Sequence, residues 1–254
     1  TMIQQLRLDE VTTAYRVTHA EGDGLPGLMI DRFGSYAVVE LFNESMARRR
    51  DAIAAVLRQH LTLDDVLFRA DERVQAAEGF TIASAAQGPT RDRAAARQST
   101  IITEHGLRFQ IDLTHGHKTG FFCDQRDNRL ALTRLTPDSD VLDVCSYTGG
   151  FGVHAAALGK ARSVTCIDLD EDAIALAQRN ANLNQVPPNV FSTVHTDAFA
   201  YLRQMQTNGR QFNVIVVDPP KFVPNRESFF EGRGKYFDLN RLALTLLKPG
   251  GYLV

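Results

Sequence analysis

Between Leu107 and Leu113 apolar residues alternate with polar ones, Leu107, Phe109, Ile111 and Leu113 against Arg108, Gln110 and Asp112. That period of two predicts a strand with one buried face. Upstream, Leu28 to Asp31 and Tyr36 to Phe42 read as two further strands joined by a hairpin turn at Gly34-Ser35, and the turn-rich Gly22-Asp23-Gly24-Leu25-Pro26-Gly27 leads into them. Asn43 to Ser45 can cap a helix running to about Leu61, with Met46, Ile53, Val56, Leu57 and Leu61 on its inner face. Strand, strand and helix make a small α/β module, which ends near Thr114. Residues 1 to 14 carry little periodicity. From Ala83 to Ser99 the chain turns to Ala, Gln, Arg and Gly, with Arg91, Arg93 and Arg97 close together. This predicts a solvated, charged loop or weak helix, with contact to RNA as the alternative.

From Val141 onward strands and helices alternate, the pattern of a parallel, doubly wound sheet. Its strands are expected at Val141 to Cys145, Ser163 to Ile167, Val190 to Val194 and Phe212 to Val217, with a fifth starting at Tyr252 after the turn Lys248-Pro249-Gly250-Gly251. Asp170, Glu171 and Asp172 place negative charge at the start of the helix after the second strand, where the helix dipole favours it. Since the sequence stops inside the fifth strand, it reads as part of a longer chain.

Composition narrows the picture only slightly. At 254 residues, 44% hydrophobic and 23% charged, the chain has the make-up of a soluble protein of one large or two ordinary domains. A net charge of -2 gives no global attraction to nucleic acid or an anionic membrane, so RNA binding would need a local basic patch. No apolar run approaches the roughly 18 residues of a membrane span, and no secretory leader is recognisable. A cytoplasmic protein is the expectation. The three cysteines, Cys123, Cys145 and Cys166, suit reduced thiols; Cys145 and Cys166 read as buried strand residues. No Cys/His set has zinc spacing, and His115 with His117 reads as a polar loop pair, so no metal is expected.

The candidate chemistry begins at the end of the first parallel strand. Val-Leu-Asp-Val-Cys-Ser-Tyr-Thr-Gly-Gly-Phe-Gly-Val, from Val141 to Val153, is a strand, a turn of small and hydroxylated residues, and a glycine-opened helix. Glycines there allow a sharp turn and let a ligand lie against amides at the helix N-terminus. Asp168 closes the second strand, Asp197 follows the third and Asp218 the fourth. Acids at the C-terminal ends of neighbouring parallel strands face one crevice, where open α/β sheets bind ligands. An adenosine-bearing ligand is the expectation, and both NAD and S-adenosylmethionine satisfy it. Asp218-Pro219-Pro220-Lys221-Phe222 discriminates between them, because a stiff loop beside the cofactor suits an enzyme that must hold a nucleobase still during methyl transfer.

Three stretches carry a family resemblance: the Val141 run, Asp-Pro-Pro-Lys-Phe from Asp218, and Gly-His-Lys-Thr-Gly-Phe-Phe-Cys-Asp-Gln-Arg-Asp-Asn-Arg from Gly116. Together they resemble the bacterial class I S-adenosylmethionine-dependent 23S rRNA cytosine-5 methyltransferases, and Tyr15 to Gly34 with Glu104-His105-Gly106 is similar to that family's central domain. The resemblance implies a small α/β (EEHI-like) domain over residues 1–114, for RNA recognition, and a Rossmann-like methyltransferase domain over 115–254, incomplete after its fifth strand. It further implies that Ser146, Tyr147, Thr148 and Gly149 line the methionine and ribose side of S-adenosylmethionine. Asp168 would take the ribose hydroxyls and Asp197 the adenine amino group. Phe122, Gln125 and Arg126 would close the pocket, Arg126 against the methionine carboxylate. Asp218 and Lys221 would border the target base, with ribosomal RNA as the partner; a homodimer stays open.

Two departures from the family accompany the resemblance. Residues 1–254 are expected to hold no counterpart of its N-terminal PUA domain, and its catalytic cysteine, which activates cytosine C5 by adding to C6, would lie beyond Val254. Cys123 stands where the family has an aliphatic residue and reads as packing. The expectation is a fragment that binds cofactor weakly or not at all and does not turn over. A guanine-N methyltransferase of the related branch, a dehydrogenase and a non-catalytic RNA-binding module remain the alternatives.

Overall fold

The hairpin around Leu107 shows how the first half of the chain is built. In the computed structural model, which describes residues 5–82, 99–113 and 120–254, Leu107, Phe109, Ile111 and Leu113 are buried and Arg108 is exposed, as the period of two requires. The chain divides into two units, Thr1–Arg126 and Asp127–Val254. The division falls later than Thr114, because a 3-10 turn at Cys123–Gln125 packs against the first strand of the first unit. Arg91, Arg93, Arg97, His115 and His117, and the Gly116 to Thr119 part of the motif, lie outside the described residues.

In the first unit a helical turn α1 (Leu8–Val11) precedes β1 (Ala14–His19), β2 (Leu28–Phe33) and β3 (Tyr36–Leu41). Then come helices α2 (Glu44–Ala47) and α3 (Arg50–His60), strand β4 (Asp65–Arg69) and helix α4 (Glu72–Glu78). The sheet order is β1-β2-β3-β4, with β3 and β4 parallel and the other pairs antiparallel. Asn43 caps as predicted, its Oδ1 accepting from the Met46 amide at 2.9 Å. The helix it opens is broken at Arg48-Arg49, and Val56, expected on the inner face, is 55% exposed. The other four expected residues face inward: Leu57, with Ala54, is buried against Leu28, Ile30, Val39 and Leu41, and Met46, Ile53 and Leu61 pack beside them. Strands β5 (Ser99–Glu104) and β6 (Leu107–Asp112) form a hairpin whose turn residues, His105 and Gly106, have φ 50° and 80°. Positive φ at both positions is the tight two-residue turn that matches strand twist. The hairpin is tied to the sheet beside β1 by Thr13 N to Thr103 O, 2.9 Å, and by the buried Thr12 hydroxyl, which donates to Thr103 O at 3.0 Å.

In the second unit α5 (Arg126–Leu132) leads to β7 (Asp140–Val144), α6 (Gly150–Ala157), β8 (Ser163–Asp168) and α7 (Glu171–Leu183). It continues with β9 (Phe191–His195), α8 (Ala198–Thr207), β10 (Phe212–Val217), α9 (Phe229–Thr245) and β11 (Leu247–Leu253). All pairs are parallel, in the order β11-β10-β7-β8-β9. This is the α/β, Rossmann-like doubly wound sheet expected from the alternation. Its strand order reverses direction at β7, and that switch point is where such sheets open a crevice at their C-terminal edge.

The fifth strand begins earlier than Tyr252. Phe212 pairs with Leu247 and Val214 with Tyr252, so Lys248 to Gly251 bulge out of the ladder between two paired stretches. Pro249 lacks an N–H and Gly250 has φ 78°, neither of which suits regular pairing. Alternate side chains of β7 go to opposite faces. Leu142 and Val144 join Ile167 and Ile215 under Leu202 of α8 and Leu239, Leu242 and Leu246 of α9, whereas Asp143 between them meets α6. Among the described residues, no helix is long and apolar enough to cross a membrane.

Candidate functional site

Beyond Val144 the chain must turn from strand to helix within five residues, and it does so with Cys145 at φ 59°, Tyr147 at φ 49° and Gly149 at φ 76°. Two non-glycine residues in the left-handed region cost about 1–3 kcal/mol each and persist only where the surroundings over-determine them. Here they do. The Ser146 amide donates to Ile167 O at 3.0 Å, the Tyr147 amide to Asp168 Oδ2 at 2.8 Å, and the Gly149 amide to Ser146 O at 2.9 Å. Asn180 of α7, fully buried, donates from Nδ2 to Thr148 O at 3.1 Å. The Gly152 amide, one turn into α6, donates to Asp143 Oδ2 at 2.9 Å. A Cβ at Gly149 would come within 2.9 Å of the Ala177 Cβ, and one at Gly152 would collide with the Cys166 sulfur. The glycines therefore let α6 start pressed against β8 and α7, with the turn held above the sheet.

Four aspartates surround this turn. Asp143 is 1% exposed; its Oδ2 is held by Gly152, while its Oδ1 has no hydrogen-bond partner. Burial pushes its carboxyl up to about 7, and Asp218 and Asp168 add to the rise against the opposing pull of the Gly152 amide. Asp168 engages both oxygens with backbone, Oδ2 with Tyr147 and Oδ1 with the Asp170 amide at 3.0 Å. Asp197 is exposed and caps α8, its Oδ1 accepting from the Ala200 amide at 2.9 Å. Asp218, also exposed, follows β10, its own amide donating to Val144 O at 3.4 Å. The Cys145 thiol is pushed up to about 12, first by burial and then by Asp168, Asp143, Asp218 and Asp197 in turn. Asp143 lies within β7, Asp168 bonds the turn that follows it, Asp218 is tied by its amide to Val144 O, and Asp197 begins α8 after β9, so the four acids gather at the C-terminal edge of one sheet. Cys166, fully buried, is raised by burial and then by Asp143. Neither thiol is a thiolate near neutral pH; Cys166 is the buried strand residue expected, whereas Cys145 lies in the turn beyond β7 and is only partly buried.

The loop after Asp218 is anchored from beneath. The Phe222 ring lies 4.8 Å from that of Tyr236 in α9 and 6.3 Å from that of Phe199 in α8, and the Phe222 amide donates to the Tyr236 hydroxyl at 3.2 Å. Lys221, just before it, is exposed.

The strand ends of the second unit thus bring together Ser146, Tyr147, Thr148, Gly149, Asp168, Asp197 and Asp218, with Lys221 on the loop beyond. Ser146 and Thr148 are buried, and the Ser146 Oγ has no partner at hydrogen-bonding distance, the Cys166 thiol being its weak neighbour. Phe122, Gln125 and Arg126 belong to the first unit, at the Cys123–Gln125 turn and the start of α5. Three participants escaped the sequence reading. Asp143 could have been found as the acid between Leu142 and Val144 in the first parallel strand. Leu169, 68% exposed directly after Asp168, offers apolar surface where a ligand would lie. Tyr236 left no signal, since only the fold brings it to Phe222.

Residues 16–254 match the family model for S-adenosylmethionine-dependent methyltransferases. The chain belongs to that family. A ribosomal RNA large subunit methyltransferase I from Klebsiella pneumoniae (strain 342) is 41% identical over 242 residues, covering 95% of this chain and 59% of the relative. One of the same name from Cronobacter sakazakii is 39% identical over 241 residues, covering 95% and 60%. The chain therefore spans about three-fifths of the length of these relatives. Among solved structures, SMU.776, crystallised in complex with SAH, superposes with a TM-score of 0.81 at 27% identity, covering 99% of this chain and 63% of that one. The crevice fits the family's cofactor, S-adenosylmethionine, on charge alone. A sulfonium and an ammonium are attracted by Asp168, Asp197 and Asp218 at the strand ends, whereas the pyrophosphate of a dinucleotide would be repelled.

Proposed function

We propose that the protein is a cytoplasmic ribosomal RNA methyltransferase that forms 5-methylcytosine in large-subunit RNA. The observation that carries this reading is the set of strand-end acids Asp168, Asp197 and Asp218 around the Cys145–Gly149 turn, with a stiff, anchored Asp218–Phe222 loop beside it. The names of the relatives support the RNA substrate. S-adenosylmethionine, when bound, supplies an electrophilic methyl group on a sulfonium.

The residues of this chain then bind and orient. Asp168, already locked by two backbone amides, keeps lone pairs for a ribose diol. Asp197 has one oxygen occupied by its cap, which leaves the other for an adenine amino group. Leu169 gives the adenine plane an apolar surface. Ser146 and Thr148, being buried, contribute through the backbone they shape, and Tyr147 and Gly149 set its turn. Phe122, Gln125 and Arg126 stay with the cofactor in this reading, Arg126 against its carboxylate. Pro219 and Pro220 stiffen the loop that carries Asp218 and Lys221 to the edge of the target base. Residues 1–114 would recognise RNA, and 115–254 would carry out the transfer. Covalent activation at C5 requires a thiolate. Cys145 and Cys166 do not provide one, Cys123 is read as packing, and the family resemblance implies a nucleophile beyond Val254.

Incubating the whole protein with large-subunit RNA and isotopically labelled S-adenosylmethionine, then mapping the label by mass spectrometry, tests this. Label at C5 of a cytosine is expected. Label on a guanine nitrogen would replace the base assignment, and tight binding of NAD in place of S-adenosylmethionine would overturn the reading.

A further inference from the structure

The Asp218–Phe222 loop has little regular structure of its own, yet its last residue is gripped on three sides. Phe222 sits between Phe199 of α8 and Tyr236 of α9, with ring centroids 6.3 and 4.8 Å away. Its amide donates to the Tyr236 hydroxyl at 3.2 Å. Its carbonyl lies flat on Gly232, where a Cβ would collide with the Phe222 oxygen and the Val223 side chain and sit 2.8 Å from the Phe222 carbonyl carbon. Gly232 is one turn before Tyr236, so a single stretch of α9 supplies both the gap that admits the loop and the hydroxyl that fastens it.

At its other end the loop is tied to the sheet by the Asp218 amide on Val144 O, 3.4 Å. Pro219 and Pro220 between these two points have fixed φ and carry no N–H. A stiff segment pinned at both ends transmits the position of one end to the residues between. Lys221 is adjacent to the α9 pin.

We propose that Tyr236 is a positioning residue for methyl transfer, setting the loop that presents Asp218 and Lys221 to the nucleobase through its hydroxyl bond to the Phe222 amide and its ring contact with Phe222. The inference rests on the reading that this loop borders the target base. Tyr236 touches neither cofactor nor base in this account; it acts through the loop. Loss of its hydroxyl lets the loop sample other positions while the glycine turn on the far side of β7 keeps its shape. The reaction should therefore suffer at the chemical step and not in the binding of S-adenosylmethionine.

The test uses Tyr236→Phe, which keeps the ring, and Gly232→Ala, which pushes the same part of the loop away from α9, both in the whole protein. Three quantities are compared with wild type: hydrogen exchange of the Phe222 amide, the dissociation constant for S-adenosylmethionine by calorimetry, and kcat and KM with RNA. For Tyr236→Phe, Phe222 exchange about fivefold faster and kcat about fivefold lower are expected, the scale of one neutral hydrogen bond. S-adenosylmethionine affinity and KM for RNA should stay within twofold, whereas a general loss of structure would weaken both. Gly232→Ala should give the same signature, more strongly. Unchanged exchange, or unchanged kcat in both variants, overturns the proposal. Wild-type protein that transfers no methyl to RNA overturns the reading of function instead, and the exchange comparison still decides whether Tyr236 holds the loop.

Discussion

Replacing Asp143 by Asn should remove a pH dependence from the stability of the protein. In the unfolded chain this carboxyl loses its proton near 3.8, while in the folded protein burial holds it until about 7. Over that window the folded state binds one proton more than the unfolded state, so stability falls as pH rises and levels off above about 7. The interval is about 3 units, and at ~1.4 kcal/mol per unit the ionised side chain opposes folding by roughly 4 kcal/mol at pH 8. Between pH 5 and pH 8 the loss is about 3 kcal/mol, counting the two units below 7. Asp140 does not confuse the comparison. Its carboxyl is held below its usual value by Arg162 and Lys248, so its contribution is lost only as pH falls below 3.8. Asn at position 143 can still accept from the Gly152 amide through Oδ1. Urea denaturation of wild type and Asp143→Asn at pH 5, 6, 7 and 8 gives the difference directly. Wild type should gain about 3 kcal/mol over the variant's own change on going from pH 8 to pH 5. Parallel pH curves for the two proteins would refute the reasoning, because Asp143 would then not carry the buried charge.

Three other outcomes follow from the same geometry. Gly152→Ala drives a Cβ into the Cys166 sulfur and to 3.2 Å from the Phe191 ring, so it should cost about 1–3 kcal/mol of stability by denaturant titration. Asp168→Ala frees the Tyr147 and Asp170 amides as well as the expected ribose contact, and should weaken S-adenosylmethionine by tenfold or more in calorimetry, with Asp197→Ala weaker in effect because its cap bond lies on the surface. Cys145→Ala should retain methyl transfer within about twofold, and iodoacetamide at pH 8 should leave Cys145 unlabelled, since its thiol ionises only near 12.

Where a single period governed a segment, the sequence was readable. Leu107 to Leu113, the β2–β3 hairpin and the first four parallel strands all declare themselves by alternation or by short apolar runs between glycines and acids. Strand β4 and the partner strand β5 do not. β4 has only five residues, two of them charged, and β5 buries Glu104 beside Ile102 while turning Ile101 outward, so the buried face of neither can be read from its apolar pattern. Val56 borders the apolar stripe in sequence, yet at about 100° per residue it falls more than 100° from the line through Ala54, Leu57 and Leu61 that packs inward, and so it faces solvent. The site was legible because parallel strands deliver their C-terminal residues to one edge, so Asp168, Asp197 and Asp218 could be grouped without knowing any distance. What each one bonds to was not. Asp197 spends an oxygen on capping α8, Asp168 spends both on backbone amides, and Tyr236 reaches Phe222 from fourteen positions along the chain through α9.

The Cys145–Gly149 turn is shaped by groups that come from β8 and α7, neither of them its neighbour in sequence. A loop so dependent on distant support has no shape to offer a ligand once the sheet comes apart. Affinity for cofactor and integrity of the fold are then one equilibrium seen from two sides: ligand at a hundred times its dissociation constant should add about 2.7 kcal/mol to the unfolding free energy. A lesion anywhere under that turn would surface first as a ligand that no longer stays.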